Sequence, residues 1–486
     1  MILLGNGEWH DVDRTLVGGK AFSITTMLEL GMPVPPAFVF PTTLCVEYYA
    51  AGRSLPASVA GDLRRGIAEL ETILDRQFGN PEAPLLVSVR SGAAHSMPGM
   101  MDTILNLGID AKVAEALSRK SGDASFGPDA HRRFIEQFTK VVGTEPGDDP
   151  WEQLEAAVVA VFESWNSPRA TAYRKHHRLP DDAGTAVTVQ AMVFGNLGED
   201  SGTGVLFSRD PVTGAREPFG EWLPGGQGED VVSGQFDPLP LSQLAESMPA
   251  VHDELLTATR RLEEKFGDIQ DIEFTVEQGK LWLLQARSAK RSATAAVRHA
   301  VAMCEEELLD VEEALARVTP EQLSEVLRPH LEPEARAVAT VLAKGECACP
   351  GVATGVVVTT SDEAEAEAAD GKDVILVTPT TNPDDVHGMF AAQAIVTEIG
   401  GATSHAAVVS RELGRPCIVG CGAGSLTGLR GRVVTVDSMT GELLDGALPV
   451  SGPGHHDDPA VVKFRDWVIE QSGEAGASLR AVLDSA

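Results

Sequence analysis

Basic residues, cysteine pairs and long apolar runs are all scarce in this 486-residue chain. Against 71 Asp and Glu stand only 39 Lys and Arg, a formal charge of −32. That balance argues against nucleic acid or an anionic membrane surface as a partner. It does not exclude a nucleotide, because a local basic cluster and Mg²⁺ can bind phosphates inside an acidic protein. The six cysteines, Cys45, Cys304, Cys347, Cys349, Cys417 and Cys421, form no C-x-x-C pair, so neither a structural zinc nor a disulfide framework is expected. His176-His177 and His455-His456 lack carboxylate or thiol neighbours at ligand spacing and read as solvated surface. No stretch reaches transmembrane length, and the start, MILLGNGEWHDVDRT, has no cationic leader. A cytoplasmic location is the expectation.

What is present is ordinary for globular domains: 43% hydrophobic and 23% charged residues, in a chain long enough for two or three cores. Residues 1 to about 290 mix strand-like runs, such as Leu85 to Val89 and Ala186 to Val193, with helical ones such as Trp151 to Trp165, an α/β or α+β pattern. From Ala293 the chain turns alanine- and glutamate-rich with helical spacing, and Thr319-Pro320-Glu321 reads as a capped helix start. That marks 291–340 as a helical linker. Alternating strands and helices return over 341–450. A Gly, Pro, His and Asp hinge then leads to a last helix, Pro459 to Gln471, within 451–486. Val461, Phe464 and Val468 form an apolar stripe on it, with Trp467 alongside. The stripe suits either a partner's groove or the chain's own core.

The most informative stretch is Ile395 to Cys421, IVTEIGGATSHAAVVSRELGRPCIVGC. Small and β-branched residues up to Thr397 predict a strand, and Gly400 and Gly401 free the backbone to turn. Thr403 or Ser404 can cap a helix that Gly414 and Pro416 end. His405 therefore stands at a helix N-terminus, where the dipole and unpaired N–H groups lower its pKa and attract anions. Such an imidazole would be neutral, nucleophilic and able to carry a phosphoryl group. A lone histidine at a strand-turn-helix corner is more often structural.

Four segments of the first 290 residues carry phosphate-binding chemistry. Gly18-Gly19-Lys20 precedes the helical run Ala21 to Leu30, bringing an ammonium to a helix start. The run Ser88 to Gly108, SVRSGAAHSMPGMMDTILNLG, ends a strand at Arg90 and continues through a loop with Pro98 and Gly99 that can close over a ligand. The glycine-rich run Gly220 to Gly234, GEWLPGGQGEDVVSG, contains Glu229 and Asp230, a pair that is usually a solvated turn. In the hairpin QDIEFTVEQGKLWLLQARS, the period of two sets Asp271 and Glu273 on one face, and Gln285 and Arg287 on one face of the return strand. The four converge only if the connection holds an odd number of residues, and a three-residue loop Glu277-Gln278-Gly279 satisfies that. Two carboxylates facing an amide and a guanidinium can hold Mg²⁺ and a polyphosphate, although cross-strand charge pairs are also common stabilisers.

The His405 stretch closely resembles the phosphohistidine domain of the pyruvate phosphate dikinase, phosphoenolpyruvate synthase and rifampicin phosphotransferase enzymes. It departs at Ile399, where an arginine usually precedes the glycines. The Ser-Met-Pro-Gly-Met-Met-Asp run is similar to the dikinase branch, departing at Ala94 and His95, where arginine and valine are typical. In order, the resemblance covers about residues 15 to 447. It implies α/β and α+β domains: an ATP-grasp nucleotide-binding domain (1–290), the linker, and a swivelling phosphohistidine domain (341–450). By that resemblance His405 is the phosphorylated residue, and Lys20, Arg90, Asp271, Glu273, Gln285 and Arg287 fall on the ATP and Mg²⁺ positions. Gly99, Arg133 (from Arg132-Arg133-Phe134), Glu229 and Asp230 fall beside them, with Thr403 and Ser404 as capping or regulatory positions.

The implied chemistry is attack of His405 on the β-phosphorus of ATP with AMP leaving. Inorganic phosphate then removes the γ-phosphoryl group as diphosphate. Relatives continue into a (β/α)₈ barrel that binds pyruvate or phosphoenolpyruvate, which needs about 250 residues. Only 38 follow Leu448. The acceptor is therefore expected on a separate barrel chain, and Cys421 is no substitute for the barrel's acid. Two other functions remain open: a non-catalytic adenylate sensor, and a phosphotransferase with a small-molecule acceptor.

Overall fold

The structure, a computed structural model, describes residues 1–5, 12–95, 97, 100–232, 236–327, 329–331, 333–453, 458–470 and 474–485. Two antiparallel five-stranded sheets fill its first part. One runs, in spatial order, Ile2–Leu4, Ala37–Phe40, Ala186–Ala191, Val87–Gly92, Thr103–Leu107. The other runs Leu239–Pro240, Phe219–Pro224, Gly202–Phe207, Gln270–Glu277, Lys280–Ser288. The helix Arg14–Glu29 joins them, since Val17, Ala21, Ile24 and Met27 share one core with Val39 of the first sheet and Ile272 and Phe274 of the second. The opposite face of the first sheet packs on helices through Leu63, Ile67, Val158 and Phe162.

An eight-stranded sheet forms the later part. Four central strands, Val352–Val358, Val374–Thr378, Ala394–Thr397 and Cys417–Val419, run parallel to one another and are nearly all apolar, as expected of strands covered on both faces. Antiparallel strands flank them on either side. The helix His405–Leu413 follows the strand Ala394–Thr397. Its start thus lies at the carboxyl ends of the parallel strands, where open α/β sheets bind ligands.

Between these parts the expected linker is helical, as Ala293–Glu305, Val311–Ala316 and Pro320–Val326. The last two helices, Pro459–Glu470 and Glu474–Ser485, fold back onto it. Val461, Phe464 and Val468 are buried with Val297, Val301, Leu315, Leu323 and Leu479. The apolar stripe of the C-terminal helix is therefore covered by the chain itself, and the alternative of a partner's groove has no free surface to act on. A short ribbon, Pro329–Leu331 against Val450–Pro453, ties the later sheet to these helices. Among the described residues no helix is long and apolar enough to cross a membrane. His455 and His456 lie outside the described residues.

Candidate active site

The hairpin Gln270–Ser288 supplies the framework. Asp271 stands directly opposite Arg287, and Glu273 opposite Gln285, so all four share one face as anticipated. The means differ from the three-residue loop expected from the sequence. Glu277 pairs with Lys280 across a two-residue turn, Gln278-Gly279, both with positive φ, and the register slips between Glu273 and Phe274. The odd residue is Leu284, a bulge in the return strand. The bulge restores the parity that a tight turn alone would have broken.

That face extends across two more strands. Glu221, Val205, Glu273 and Gln285 form one cross-strand row, and Phe219, Phe207, Asp271 and Arg287 form the next. Onto it come two cations from other elements. Lys20 donates from Nζ to Gln285 Oε1 at 3.0 Å, and Arg90, on the facing sheet, brings Nη1 to 4.0 Å from Glu273. Lys20 can reach this point because the helix Arg14–Glu29 breaks at Gly18 (φ 76°, ψ 162°). A Cβ at Gly18 would collide with the carbonyl of Gly92, so only glycine permits the approach.

Burial and neighbouring charge pull these groups in different directions. Burial, together with Arg90 and Arg287, holds the Lys20 ammonium well below its usual pKa. Burial raises Glu273, but Lys20, Arg287 and Arg90 outweigh it and keep the carboxylate ionised below its ordinary value. Asp271 is 2% exposed and pushed upward by burial against the pull of Arg287. Its Oδ2 accepts from Arg287 Nε at 2.7 Å, while Oδ1 is buried without a partner. Among the described residues no three His, Cys, Asp or Glu converge as a self-sufficient metal site. Two carboxylates on one face, one with an unused oxygen, do fit Mg²⁺, which keeps water and phosphate oxygens as its other ligands.

The second glycine-rich segment is joined differently. Arg133, on the helix Phe126–Val142, pairs with Asp230 at 2.6 Å and with Asp129 at 2.8 Å, and Asp230 in turn accepts from the backbone of Gln227. This pair braces the short helix Gly228–Val232, which carries Glu229 and packs on the strands of the same sheet. Gly99, with Pro98, lies outside the described residues.

His405 heads its helix with Ser404 as the N-cap, accepting from Ala407 N. Thr403 does not cap. Its hydroxyl donates to Glu221, and a Cβ at Gly401 would collide with the same carboxylate. Burial pushes Glu221 upward, with the Thr403 hydrogen bond opposing it. His405 Nδ1 lies 3.2 Å from Thr381 Oγ1, while Nε2 is buried with no partner. Burial holds the imidazole at about 4, Asp385 pulling weakly the other way. With the proton on Nδ1, the Nε2 lone pair is free. Further along the helix, Arg411 lies 5.6 Å from the Phe207 ring centroid, over the second cross-strand row. Glu412 bonds Tyr173 and, at 2.9 Å, Lys290.

The histidine helix thus rests on the sheet face that carries Asp271, Glu273, Gln285 and Arg287. Glu221 is two strands from Glu273, about 10 Å at the usual strand spacing. Glu221, Thr381 and Arg411 were not anticipated. Glu221 had a signal, an acidic residue inside the strand Phe219–Pro224 of a segment already noted for its glycines, whereas Thr381 sits in a loop with no local cue.

Comparison with known proteins gives matches along most of the chain. A family model described as "Pyruvate phosphate dikinase, AMP/ATP-binding domain" matches residues 53–253 and 248–308, and one described as "PEP-utilising enzyme, mobile domain" matches 370–441. The pyruvate, phosphate dikinase of Rhizobium meliloti (strain 1021) is 41% identical over 520 residues, covering 92% of this chain and 58% of that protein. The Clostridium symbiosum protein of that name is 40% identical, with 90% and 57% covered. The chloroplastic one of Oryza sativa subsp. japonica is 39% identical, with 96% and 55% covered. The chain spans 55–58% of the length of these relatives.

Proposed function

The chain belongs to the pyruvate phosphate dikinase family, and from that premise we propose that it is an ATP-dependent phosphotransferase that phosphorylates its own His405. In this reading the Nε2 lone pair attacks the β-phosphorus of ATP. The bond from that phosphorus to the α-phosphate oxygen breaks, and AMP leaves with the electron pair. An oxygen of inorganic phosphate then attacks the γ-phosphorus and departs as diphosphate, leaving one phosphoryl group on His405. That group passes to pyruvate or another acceptor held outside residues 1–486.

The single observation that carries this reading is the unpartnered, neutral Nε2 at the head of a helix whose preceding loop is held by Glu221, in the same cross-strand row as Glu273 and Gln285. A sensor that transfers nothing has no use for a histidine nucleophile at this helix start. Lys20, Arg90 and Arg287 supply positive charge where negative charge develops, and phosphoryl transfer depends on such positioning and electrostatics. Asp271 and Glu273 would hold Mg²⁺, which supplies further neutralisation of the phosphate oxygens when bound. Thr381 holds the ring through Nδ1 and accepts from it in the tautomer that leaves Nε2 free. Arg133 and Asp230 contribute by bracing the glycine-rich helix, and residues 341–450 move as the histidine carrier on the ribbon near residues 330 and 450.

The test is labelling by ATP carrying radioactive β-phosphorus, with Mg²⁺ and phosphate. An acid-labile, base-stable label should form on the parent chain and be absent from His405→Ala. Label retained by that variant would overturn the assignment.

A further inference from the structure

A cavity lies away from the nucleotide cleft, at the seam where the later part of the chain rests on the first. It measures about 560 Å³, a size usual for small-molecule sites. One wall is Lys140, at the exposed end of the helix Phe126–Val142, with Arg169 and Ala172 of the helix Pro168–His177. The other is the turn Pro383–Asp385 and the helix Val386–Ala391, which supply Asp384, Val386 and Phe390. Arg169 and Asp384 stand 215 positions apart, so the cavity exists only while the two parts are docked.

Three contacts join the walls. Arg169 reaches Asp384 at 3.3 Å across the seam while it also pairs with Asp102 and donates from Nε to the carbonyl of Met100 at 3.1 Å. His176 stacks on Phe390 with ring centroids 4.3 Å apart. Val386 is buried in the core between the first sheet and its helices. The far wall is continuous with the support of His405. Asn382 accepts from Asp384 N and gives its own N–H to Asp385, both at 2.9 Å, so the turn is closed on itself directly after Thr381, which holds His405 Nδ1.

The lining selects a ligand type. Val386, Phe390 and Ala172 give an apolar floor. Arg169 is shared by both carboxylates of the lining, Asp102 and Asp384, and His387 is committed to Asp362 and to the Asp384 carbonyl, each at 3.0 Å. Lys140 is the charge left over in that lining, an ammonium on a long stem at the rim. One cation beside an apolar floor matches a flat apolar body with a single acid group. We propose that this cavity is an effector site for a small aromatic carboxylate, its ring against Phe390 and Val386 and its acid group on Lys140. An occupant that touches both walls binds only the docked arrangement and shifts the chain toward it. The consequence for phosphoryl delivery rests on residues 341–450 moving as the histidine carrier, whereas the binding itself does not.

The probes are naphthoate and its uncharged counterpart naphthalenemethanol, titrated calorimetrically into the full chain without nucleotide. Naphthoate should bind about tenfold or more tighter than the alcohol, as expected of one charge-assisted contact. Lys140→Glu should remove that advantage, and Ala172→Trp, which fills the cavity, should weaken both probes by about tenfold or more. Both positions are exposed, so the fold tolerates both changes. Naphthoate at about ten times its Kd should slow amide hydrogen exchange about tenfold in both Pro168–His177 and Val386–Ala391, one helix from each wall. Equal affinity for the two probes, affinities unchanged in both variants, or protection of one wall alone would overturn the proposal. None of these readouts uses ATP or His405, so a chain that fails to label His405 sinks the phosphotransferase reading and leaves this test as it stands.

Discussion

Replacing Glu221 with alanine should release the histidine-bearing helix from the sheet. Glu221 is 8% exposed, accepts the Thr403 hydroxyl and faces the backbone N–H groups of Ala402 and Thr403. A hydrogen bond to a charged group contributes about 1.5–3 kcal/mol. Burial of the carboxylate works against the upper end of that range, so about 2 kcal/mol is the reasonable expectation. That corresponds to roughly a thirty-fold shift of the docking equilibrium. Energy transfer between dyes at exposed Ile73 and Met439 reads the docked fraction directly. The variant should also label His405 more slowly at unchanged ATP affinity. Glu221→Gln, which retains an acceptor oxygen, should fall between the parent and the alanine variant. Docked fraction and labelling rate indistinguishable from the parent in Glu221→Ala would refute the reasoning.

Three further outcomes follow from named contacts. The His405 imidazole titrates at about 4 in the fold, whereas an unfolded histidine titrates near 6.5. The unfolded chain therefore binds the proton first, and stability should fall between about pH 6.5 and 4, by on the order of 3 kcal/mol relative to His405→Gln, with the ring's NMR titration well below pH 6. Arg287→Ala leaves buried Asp271 without its 2.7 Å partner and should lower stability by about 3–5 kcal/mol, much of it recovered when Asp271→Asn is added, as a denaturation double-mutant cycle would read. Phe464→Ala removes a fully buried ring from the helical unit and should cost about 3–5 kcal/mol in urea, whereas no change would mean the C-terminal helix is free.

Local rules carried much of this far in advance. The cap, helix and stop around His405 follow from Ser404, the apolar run and the left-handed Gly414, and the two faces of the hairpin follow from strand alternation. What local rules could not reach was anything decided by a second element. The bulge at Leu284 lies in the return strand, beyond the turn residues that give the local cue. Thr403 and Ser404 were equivalent as caps until Glu221, 182 positions away, took the Thr403 hydroxyl. Arg133 and Asp230 were both placed beside the phosphate positions by resemblance, but their pairing is a contact over 97 positions. The apolar stripe on the last helix was plain in the sequence, and what covers it was not.

The central claim is that His405 takes the β-phosphoryl group of ATP while the γ-phosphoryl group leaves on inorganic phosphate. Parallel incubations of the chain with Mg²⁺, phosphate and ATP labelled at either the β or the γ position test it directly. The account predicts protein-bound label on His405 from the β position alone after phosphate is added, with the γ label recovered in diphosphate. Stable γ label on His405 with ADP as the other product would contradict it.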